Sequence, residues 1–213
     1  MKQRRIFDQT VLGGIPMKNR LIRSATWEDL ADEKEHFGEQ LIHIYEELAA
    51  GGVGLIITGF TSVSDSDADF GGIMRLSNDQ LIPEYQKLVQ AVKAFACPIM
   101  PQLALGSYRE RDADGILQRV GITDMDQQDI AAVVELFAQA ALRAKKAGFD
   151  GVQIHAAHGF FLSRCLSPLY NRRQDQYGGT AEGRAKILTD IIGAIREKTG
   201  RFHISMKINC EDF

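Results

Sequence analysis

Short apolar runs of strand length alternate along this chain with longer stretches of helical period. The strand-like runs cover residues 21–22, 53–58, 99–103, 151–155 and about 203–208. Between them, apolar residues recur every three or four positions over residues 39–50, 79–95, 126–147 and 181–198, which predicts four amphipathic helices. One strand and its helix together take roughly 45 residues, and this alternation is typical of a parallel sheet with right-handed crossovers.

Two architectures fit this alternation, an open doubly wound sheet and a β/α barrel. No glycine-rich dinucleotide fingerprint follows the first strand-like run, so the usual nucleotide site of an open sheet is missing. Polar side chains instead follow the ends of several runs, where a β/α barrel has its active-site face. These residues are Ser24, Thr26, Thr58, Gln102, His155, His158, Lys207 and Asn209. Ahead of the first run, Gly13-Gly14 between apolar residues predicts a hairpin over residues 11–17, placed to close the bottom of a barrel.

The composition excludes several classes of function. With 213 residues, 45% of them hydrophobic, the chain can build one sizeable core, and a net charge of -3 gives no reason to expect nucleic acid or an acidic membrane surface as partner. No run approaches the ~18–20 apolar residues of a membrane span, and no apolar run follows the basic start, so we expect neither an anchor nor a signal peptide. Cys97, Cys165 and Cys210 are odd in number and far apart, which favours reduced thiols in a cytoplasmic protein over a disulfide framework or zinc cluster.

The most specific motif starts in the fourth strand-like run. His155-Ala-Ala-His158-Gly is followed by Asn171-Arg-Arg-x-Asp-x-Tyr-Gly-Gly. Three more segments accompany this motif: Met-Lys-Asn-Arg leading to Ser-Ala-Thr at 17–26, Pro-Gln-Leu at 101–103 and Lys-Ile-Asn at 207–209. Together they resemble the old yellow enzyme family of NADH:flavin oxidoreductases over essentially the whole chain. The resemblance implies a TIM-type (β/α)8 barrel that binds FMN, of which this chain carries about five βα units and the N-terminal hairpin.

The resemblance also implies which residues contact the flavin. Gln102 would bond the pyrimidine edge, and Lys207 would place a cation near N1 and O2 of the reduced ring, as a point charge without the fork of an arginine. Gly59 would let the ring approach closely. The full implied set is Ser24, Ala25, Thr26, Gly59, Gln102, His155 and Lys207.

His155 and His158 are the implied catalytic pair. In the family such a pair donates hydrogen bonds to the oxygen of an activated alkene, quinone or nitro compound, which then accepts hydride that NADH or NADPH has given to the flavin. Taken alone, His-x-x-His is more often structural, and sometimes a zinc pair; with no third ligand in evidence we expect no metal.

Three features bear on the details of such a site. Phe160 stands where the family often has the tyrosine that protonates the substrate, and Tyr108, in the loop after the third strand, is a candidate substitute. Trp27 follows the Ser-Ala-Thr segment and either stacks near the pocket or simply packs. The 171–179 loop, with Arg184, is interpreted as a brace for the active-site face rather than as catalytic machinery.

The strand count favours an incomplete barrel. Five strands are predicted where a closed barrel needs eight, and the family holds the FMN phosphate after the later strands. We therefore expect residues 1–213 to be a single FMN-binding β/α-barrel domain that is C-terminally truncated. The alternatives are a non-catalytic fragment or pseudoenzyme that acts at most as an interaction module and, less favoured because of His-Ala-Ala-His, a relative of dihydroorotate dehydrogenase. The sequence leaves open the substrate, NADH versus NADPH, and whether the protein is a homo-oligomer.

Overall fold

The structure, a computed structural model, describes residues 5–32, 36–67 and 69–211. Its strands are, in chain order, β1 (Thr10–Leu12), β2 (Ile15–Met17), β3 (Ile22–Arg23), β4 (Leu55–Ser62), β5 (Met74–Arg75), β6 (Ile99–Ala104), β7 (Arg109–Arg111), β8 (Leu117–Arg119), β9 (Gly151–Ala156) and β10 (His203–Ile208). Its helices are α1 (Glu39–Ala50), α2 (Ile82–Lys93), α3 (Gln127–Ala147), α4 (Phe161–Leu166) and α5 (Ala181–Thr199), with a 3-10 turn at Asp79–Leu81.

The main sheet is parallel, and its strands lie side by side in the order in which they occur in the chain: β3, β4, β6, β9, β10, with β5 paired to the end of β4. A doubly wound sheet reverses its strand order at a switch point. Here the order never reverses, so the winding is that of a β/α barrel, as predicted. Within the described residues, β3 and β10 have no further strand on their outer sides, and five barrel strands are present.

The four long helices follow one another around the sheet, α1 packing on α2, α2 on α3 and α3 on α5. The helix α3 begins with a capping box between Asp126 and Asp129 and ends at Gly148, which has φ 94°. The helix α2 ends two residues before its predicted end, because Ala96 adopts a left-handed φ of 49° ahead of Pro98. Among the described residues, no helix is both long enough and apolar enough to cross a membrane.

The two faces of the sheet have different environments. Alternate strand residues, such as Ile99, Leu103 and Ile154, are buried in the core beneath the helices. On the other face, at the N-terminal end of the strands, the β1–β2 hairpin adds Ile15 and Met17 to a second cluster of buried residues, completed by Leu55, Ile57 and Met100. The predicted hairpin is therefore confirmed, and it covers the bottom of the sheet.

Gly13, in the turn of this hairpin, contacts the last barrel strand of the chain. Its carbonyl oxygen lies 3.1 Å from Nδ1 of His203. A Cβ at Gly13 would come within 2.3 Å of Cε1 of the same ring, and φ at Gly13 is 53°. The turn therefore requires glycine both for its backbone conformation and for this contact.

Three elements were not expected from the sequence: the two-residue strand β5, the β7–β8 hairpin and α4. Residues 106–124 contain the β7–β8 hairpin, and α4 follows β9 directly. The hairpin strands are three residues long and mostly charged, so they carry no alternating apolar pattern. The helix α4 has six residues, which is too short for a helical period to stand out.

Candidate active site

The predicted site residues of the barrel strands β6, β9 and β10 lie together at the C-terminal edge of the sheet. His155 on β9 is in register with Lys207 on β10, and Gln102 on β6 is in register with Gln153 on β9 and Phe60 on β4. Nε2 of Gln102 donates to Oε1 of Gln153 at 2.7 Å. Because strand side chains alternate between faces, these residues share the face opposite the helices, at the C-terminal ends of their strands.

His155 is buried at this edge, with 2% of its surface exposed. Burial, together with the nearby charges of His158 and Lys207, lowers its pKa to about 4, so the ring is neutral at pH 7. Its Nδ1 is buried and has no hydrogen-bond partner among the described residues. A neutral imidazole with an unpaired buried nitrogen is suited to a ligand that supplies the missing partner.

His158 faces His155 because the chain turns sharply after β9. Its φ is 60° and that of Gly159 is 77°, two successive left-handed residues. The ring centroids of the two histidines are 5.1 Å apart, with planes at 77°. The backbone N–H of His158 donates to Oδ1 of Asn209 at 3.1 Å, which ties this turn to the end of β10. The structure thus brings together the predicted pair and fixes the turn that carries the second ring.

The predicted flavin contacts Ser24, Ala25 and Thr26 follow β3. This strand and β10, which carries Lys207, are the two outermost barrel strands of the sheet. Ala25 packs on the cluster beneath the hairpin. The guanidinium of Arg23 donates to the carbonyl of Ser24 and to the hydroxyl of Thr26. Gln102 lies on the middle barrel strand, β6. The candidate cofactor contacts are therefore spread across the C-terminal ends of the barrel strands, from β3 to β10.

Gly59 lies at a bulge in β4, where the pairing with β6 shifts by one residue between Ile57 and Phe60. Its N–H donates to the hydroxyl of Tyr45 at 2.8 Å, and that hydroxyl donates to Oε2 of Glu28 at 3.0 Å. A Cβ at Gly59 would lie 2.6 Å from both Glu28 Oε2 and the carbonyl oxygen of Thr26. The close approach that requires glycine here is thus to Glu28 and Thr26; approach to a flavin ring stays a prediction.

Glu28 and Tyr45 form a buried network that sequence reasoning missed. Arg23 pairs with the Glu28 carboxylate at 3.0 Å. Burial raises the pKa of Glu28, and the hydrogen bond from Tyr45 and the charge of Arg23 partly offset that rise. Tyr45 lies within the helix predicted over residues 39–50, and it is fully buried on α1. The unused signal was the pair of opposite charges that flank the Ser-Ala-Thr segment.

Four aromatic side chains, here called the aromatic wall, pack beside the histidines. Trp27, Phe60, Phe70 and Phe160 have neighbouring ring centroids 5.2 to 5.9 Å apart, and Phe70 stacks on Phe160 with planes at 16°. Phe160 also lies 4.4 Å from the ring of His155. Trp27 is therefore part of the wall next to the candidate site, and it remains 44% exposed.

The structure does not bring Tyr108 to the histidine pair. Its hydroxyl bonds Glu110 at 3.0 Å and Asp129 at 3.4 Å, by the start of α3. The interpretation of Tyr108 as a substitute proton donor is not supported by this placement.

The 171–179 loop has the bracing contacts that were predicted for it. The amide of Asn171, 4% exposed, donates to the carbonyls of Cys165 and Tyr177 at 2.7 and 2.8 Å. Arg173 pairs with Asp175 and donates to the carbonyl of Ile122. Arg184 donates to the carbonyl of Leu166 at 2.6 Å, so α5 is joined to α4. Among the described residues, no group of three or more histidine, cysteine, aspartate or glutamate side chains is placed to hold a metal ion.

Comparison with known proteins agrees with this geometry. The family model of the NADH:flavin oxidoreductase / NADH oxidase family matches residues 5–213. An NADPH dehydrogenase of Listeria monocytogenes serotype 4b is 34% identical over 212 residues, which are 91% of this chain and 60% of that protein. A metal reductase of Desulforamulus reducens is 33% identical over 221 residues, which are 98% of this chain and 33% of that protein.

Superposition on solved structures agrees with the fold described above. An old yellow enzyme homologue from Zymomonas mobilis superimposes with a TM-score of 0.82 at 24% identity, over 95% of this chain and 62% of that one. Morphinone reductase in complex with tetrahydroNAD gives 0.80 at 26% identity, over 95% and 63%. This chain thus spans one third to about three fifths of these relatives. The predicted resemblance is confirmed: the chain belongs to the NADH:flavin oxidoreductase / NADH oxidase family.

Proposed function

We propose that residues 1–213 supply the first five βα units of an FMN-dependent oxidoreductase that takes hydride from NADH or NADPH and reduces an activated alkene, quinone or nitro compound. The observation that carries the proposal is the buried, neutral His155 beside His158 and Lys207 at the ends of adjacent strands. In barrels of this kind those strand ends form the active-site face. Strands that complete the barrel would pair with the outer sides of β3 and β10.

The polar groups along this edge fit a flavin. Its pyrimidine edge needs amide donors and acceptors, and the hydrogen-bonded amides of Gln102 and Gln153 provide them in mid-sheet. Lys207 would hold positive charge where the reduced ring carries negative charge. Ser24, Ala25 and Thr26, which follow β3 on the other side of the sheet, would line the ring from that side. When bound, FMN accepts hydride from the nicotinamide and passes it to the substrate.

The histidines would act on the substrate oxygen. Because His155 is neutral, one of its ring nitrogens carries a proton that can be donated, and His158 presents a second ring to the same space. Hydrogen bonds to a carbonyl or nitro oxygen draw electrons from the conjugated double bond, so its β-carbon accepts hydride more readily. The aromatic wall would shield this position from water on the side of Phe160.

Colour gives the direct test of the proposed function. A protein in which the remaining barrel strands complete the sheet should bind FMN stoichiometrically, show the flavin absorption bands and bleach with NADH or NADPH without oxygen. The 213-residue chain alone should retain little FMN, since the phosphate is held after later barrel strands. A completed protein that stays colourless with added FMN would contradict the proposal and support the alternative, a non-catalytic interaction module.

A second prediction concerns the missing proton donor. Phe160 cannot donate a proton, so this position supplies no general acid for the substrate carbon. Phe160→Tyr would place a hydroxyl beside His155 and should speed the reoxidation of reduced flavin by cyclohexenone about tenfold, a modest part of what a positioned general acid contributes. Stopped-flow absorbance measures this step. Phe70→Tyr, on the stacked partner ring, is the matched control; an equal gain from both variants, or none from Phe160→Tyr, would contradict the prediction.

A further inference from the structure

A cavity of about 210 Å³ lies between the segment around the β7–β8 hairpin and α4. Phe160 packs on His155, and the next residue, Phe161, lines this cavity. Ser107 and Arg119 from the segment around the β7–β8 hairpin and Arg164 from α4 supply its polar groups. Its remaining lining is largely apolar, and includes Val120 and Ile122. No residue of this cavity has a role in the function proposed above.

Positive charge exceeds negative charge around the cavity, although the whole chain has a net charge of -3. Arg119 and Arg109 share a single carboxylate, Asp69, with N–O distances of 2.6 and 2.8 Å. Arg164 is bonded to neutral groups, the carbonyl of Gly106 and the hydroxyl of Ser107. Asp67, the other nearby carboxylate, accepts from the backbone N–H of Gly106. The two charged side chains that line the cavity itself, Arg119 and Arg164, are both positive. Such an excess favours an anionic ligand.

The size and lining indicate what kind of anion fits. Pockets that enclose whole small-molecule ligands are about 300 to 1,000 Å³, so this smaller cavity would take one end of a ligand. Arginine presents a planar fork that matches the oxygens of a phosphate group. The side chains of Val120, Ile122 and Phe161 would contact the apolar part attached to it. A phosphate ester has both an anionic phosphate group and an attached apolar part, whereas inorganic phosphate has only the anionic group.

We propose that Arg119 and Arg164 form a phosphate-ester subsite next to the substrate site. The proposal rests on the proposed function in one respect, that the ligand belongs to the same oxidoreductase reaction. The ester can come from the reductant, as the ribose phosphate of NADPH, or from a phosphorylated substrate. In either case the arginines would bind a part of the ligand that does not react.

Calorimetric titration of the 213-residue chain tests the subsite without any flavin. Two matched pairs of probes are used: NADP⁺ against NAD⁺, and benzyl phosphate against benzyl alcohol. In at least one pair the phosphorylated member should bind about tenfold more tightly, a typical effect of one hydrogen-bonded charge pair, and added salt should reduce the difference. The pair that shows the difference identifies the reductant or the substrate as the source of the phosphate.

Variants distinguish binding at a specific subsite from general attraction of an anion to the positive charge of the hairpin. Arg119→Gln should abolish the tenfold preference, and so should Arg164→Gln. Arg119 is 59% exposed on its side chain, so its replacement leaves the fold intact even if that of Arg164 does not. Arg111→Gln is the control: Arg111 lies on the same hairpin, is exposed and bonds only the carbonyl of Gly115 among the described residues.

The proposal is overturned if neither pair shows a preference, if Arg111→Gln removes it as fully as Arg119→Gln, or if inorganic phosphate binds as tightly as both esters. None of these results depends on flavin binding. A colourless completed protein would therefore leave the subsite measurable, and the two proposals fail separately.

Discussion

Replacing both His155 and His158 with alanine should slow the reoxidation of reduced flavin by cyclohexenone about 100-fold or more, while flavin reduction by NADH or NADPH stays within about threefold. The two rings are the donors that would polarise the substrate oxygen, and removal of one such donor in other enzymes costs a comparable factor. The nicotinamide presents no carbonyl that needs the same activation to deliver hydride. Anaerobic stopped-flow absorbance of the FMN-loaded, completed protein measures the two half-reactions separately.

Two further variants make this result specific. His158→Asn keeps a hydrogen-bond donor at the turn and should recover part of the lost rate, which a purely structural role would not predict. His43→Ala is the control, because His43 is exposed on α1 and its ion-pair partners in the described part of the chain are Glu46 and Glu47. An equal loss in both half-reactions of the double variant would show that the histidines hold the fold rather than the substrate.

The pKa of about 4 for His155 adds a pH criterion. The folded-state pKa lies below the usual value for histidine, so the ring stays neutral as the pH falls from 8 to 6. The oxidative half-reaction should therefore show no His155 titration in that range. A step near pH 6.5 that disappears in His155→Ala would contradict the burial seen here.

Gly59→Ala should lower the free energy of unfolding by about 2–3 kcal/mol, the cost of forcing an extra carbon into a packed interior. The new Cβ would lie 2.6 Å from the Thr26 carbonyl and from the Glu28 carboxylate. Either the backbone after β3 or the carboxylate must move, and movement of Glu28 disturbs its bond with the buried Tyr45. Urea unfolding followed by circular dichroism gives the change in stability.

Gly193→Ala is the matched control with the opposite sign. Gly193 lies within α5, and a Cβ there would meet nothing within 4 Å. Alanine favours a helix interior over glycine by about 0.5–1 kcal/mol, so this variant should be more stable than the parent. A neutral Gly59→Ala, or equal effects at both positions, would mean that the bulge in β4 relaxes without cost.

The sequence predicted the barrel-type order and the main elements because both are encoded locally. Strands buried on both faces read as unbroken apolar runs, and the long helices carry a clear period with caps such as Asp126 and Gly148. The histidine pair could be predicted because its two members lie three residues apart, just past a strand.

The network around Gly59 could not be predicted in the same way. Glu28, Tyr45 and Gly59 lie 14 or more residues apart, and they meet only because β3 and β4 pair in a particular register and β4 has a bulge. Tyr45 has the periodicity of an ordinary core residue, and nothing local shows where its hydroxyl points. The same reason applies to the aromatic wall, whose members come from four separate segments.

The contact between Gly13 and His203 has a consequence for how the chain folds. It joins residues 190 positions apart, whereas the pairings along the main sheet join each barrel strand to the next barrel strand. Closing so long a loop costs more entropy than closing the short ones. During synthesis the βα units can assemble one after another, but the hairpin at the start of the chain can dock on β10 only after the fifth barrel strand has left the ribosome. We therefore expect the amide hydrogens of the Gly13–Gly14 turn to become protected from exchange later than those of β4 and β6, although the turn is made first.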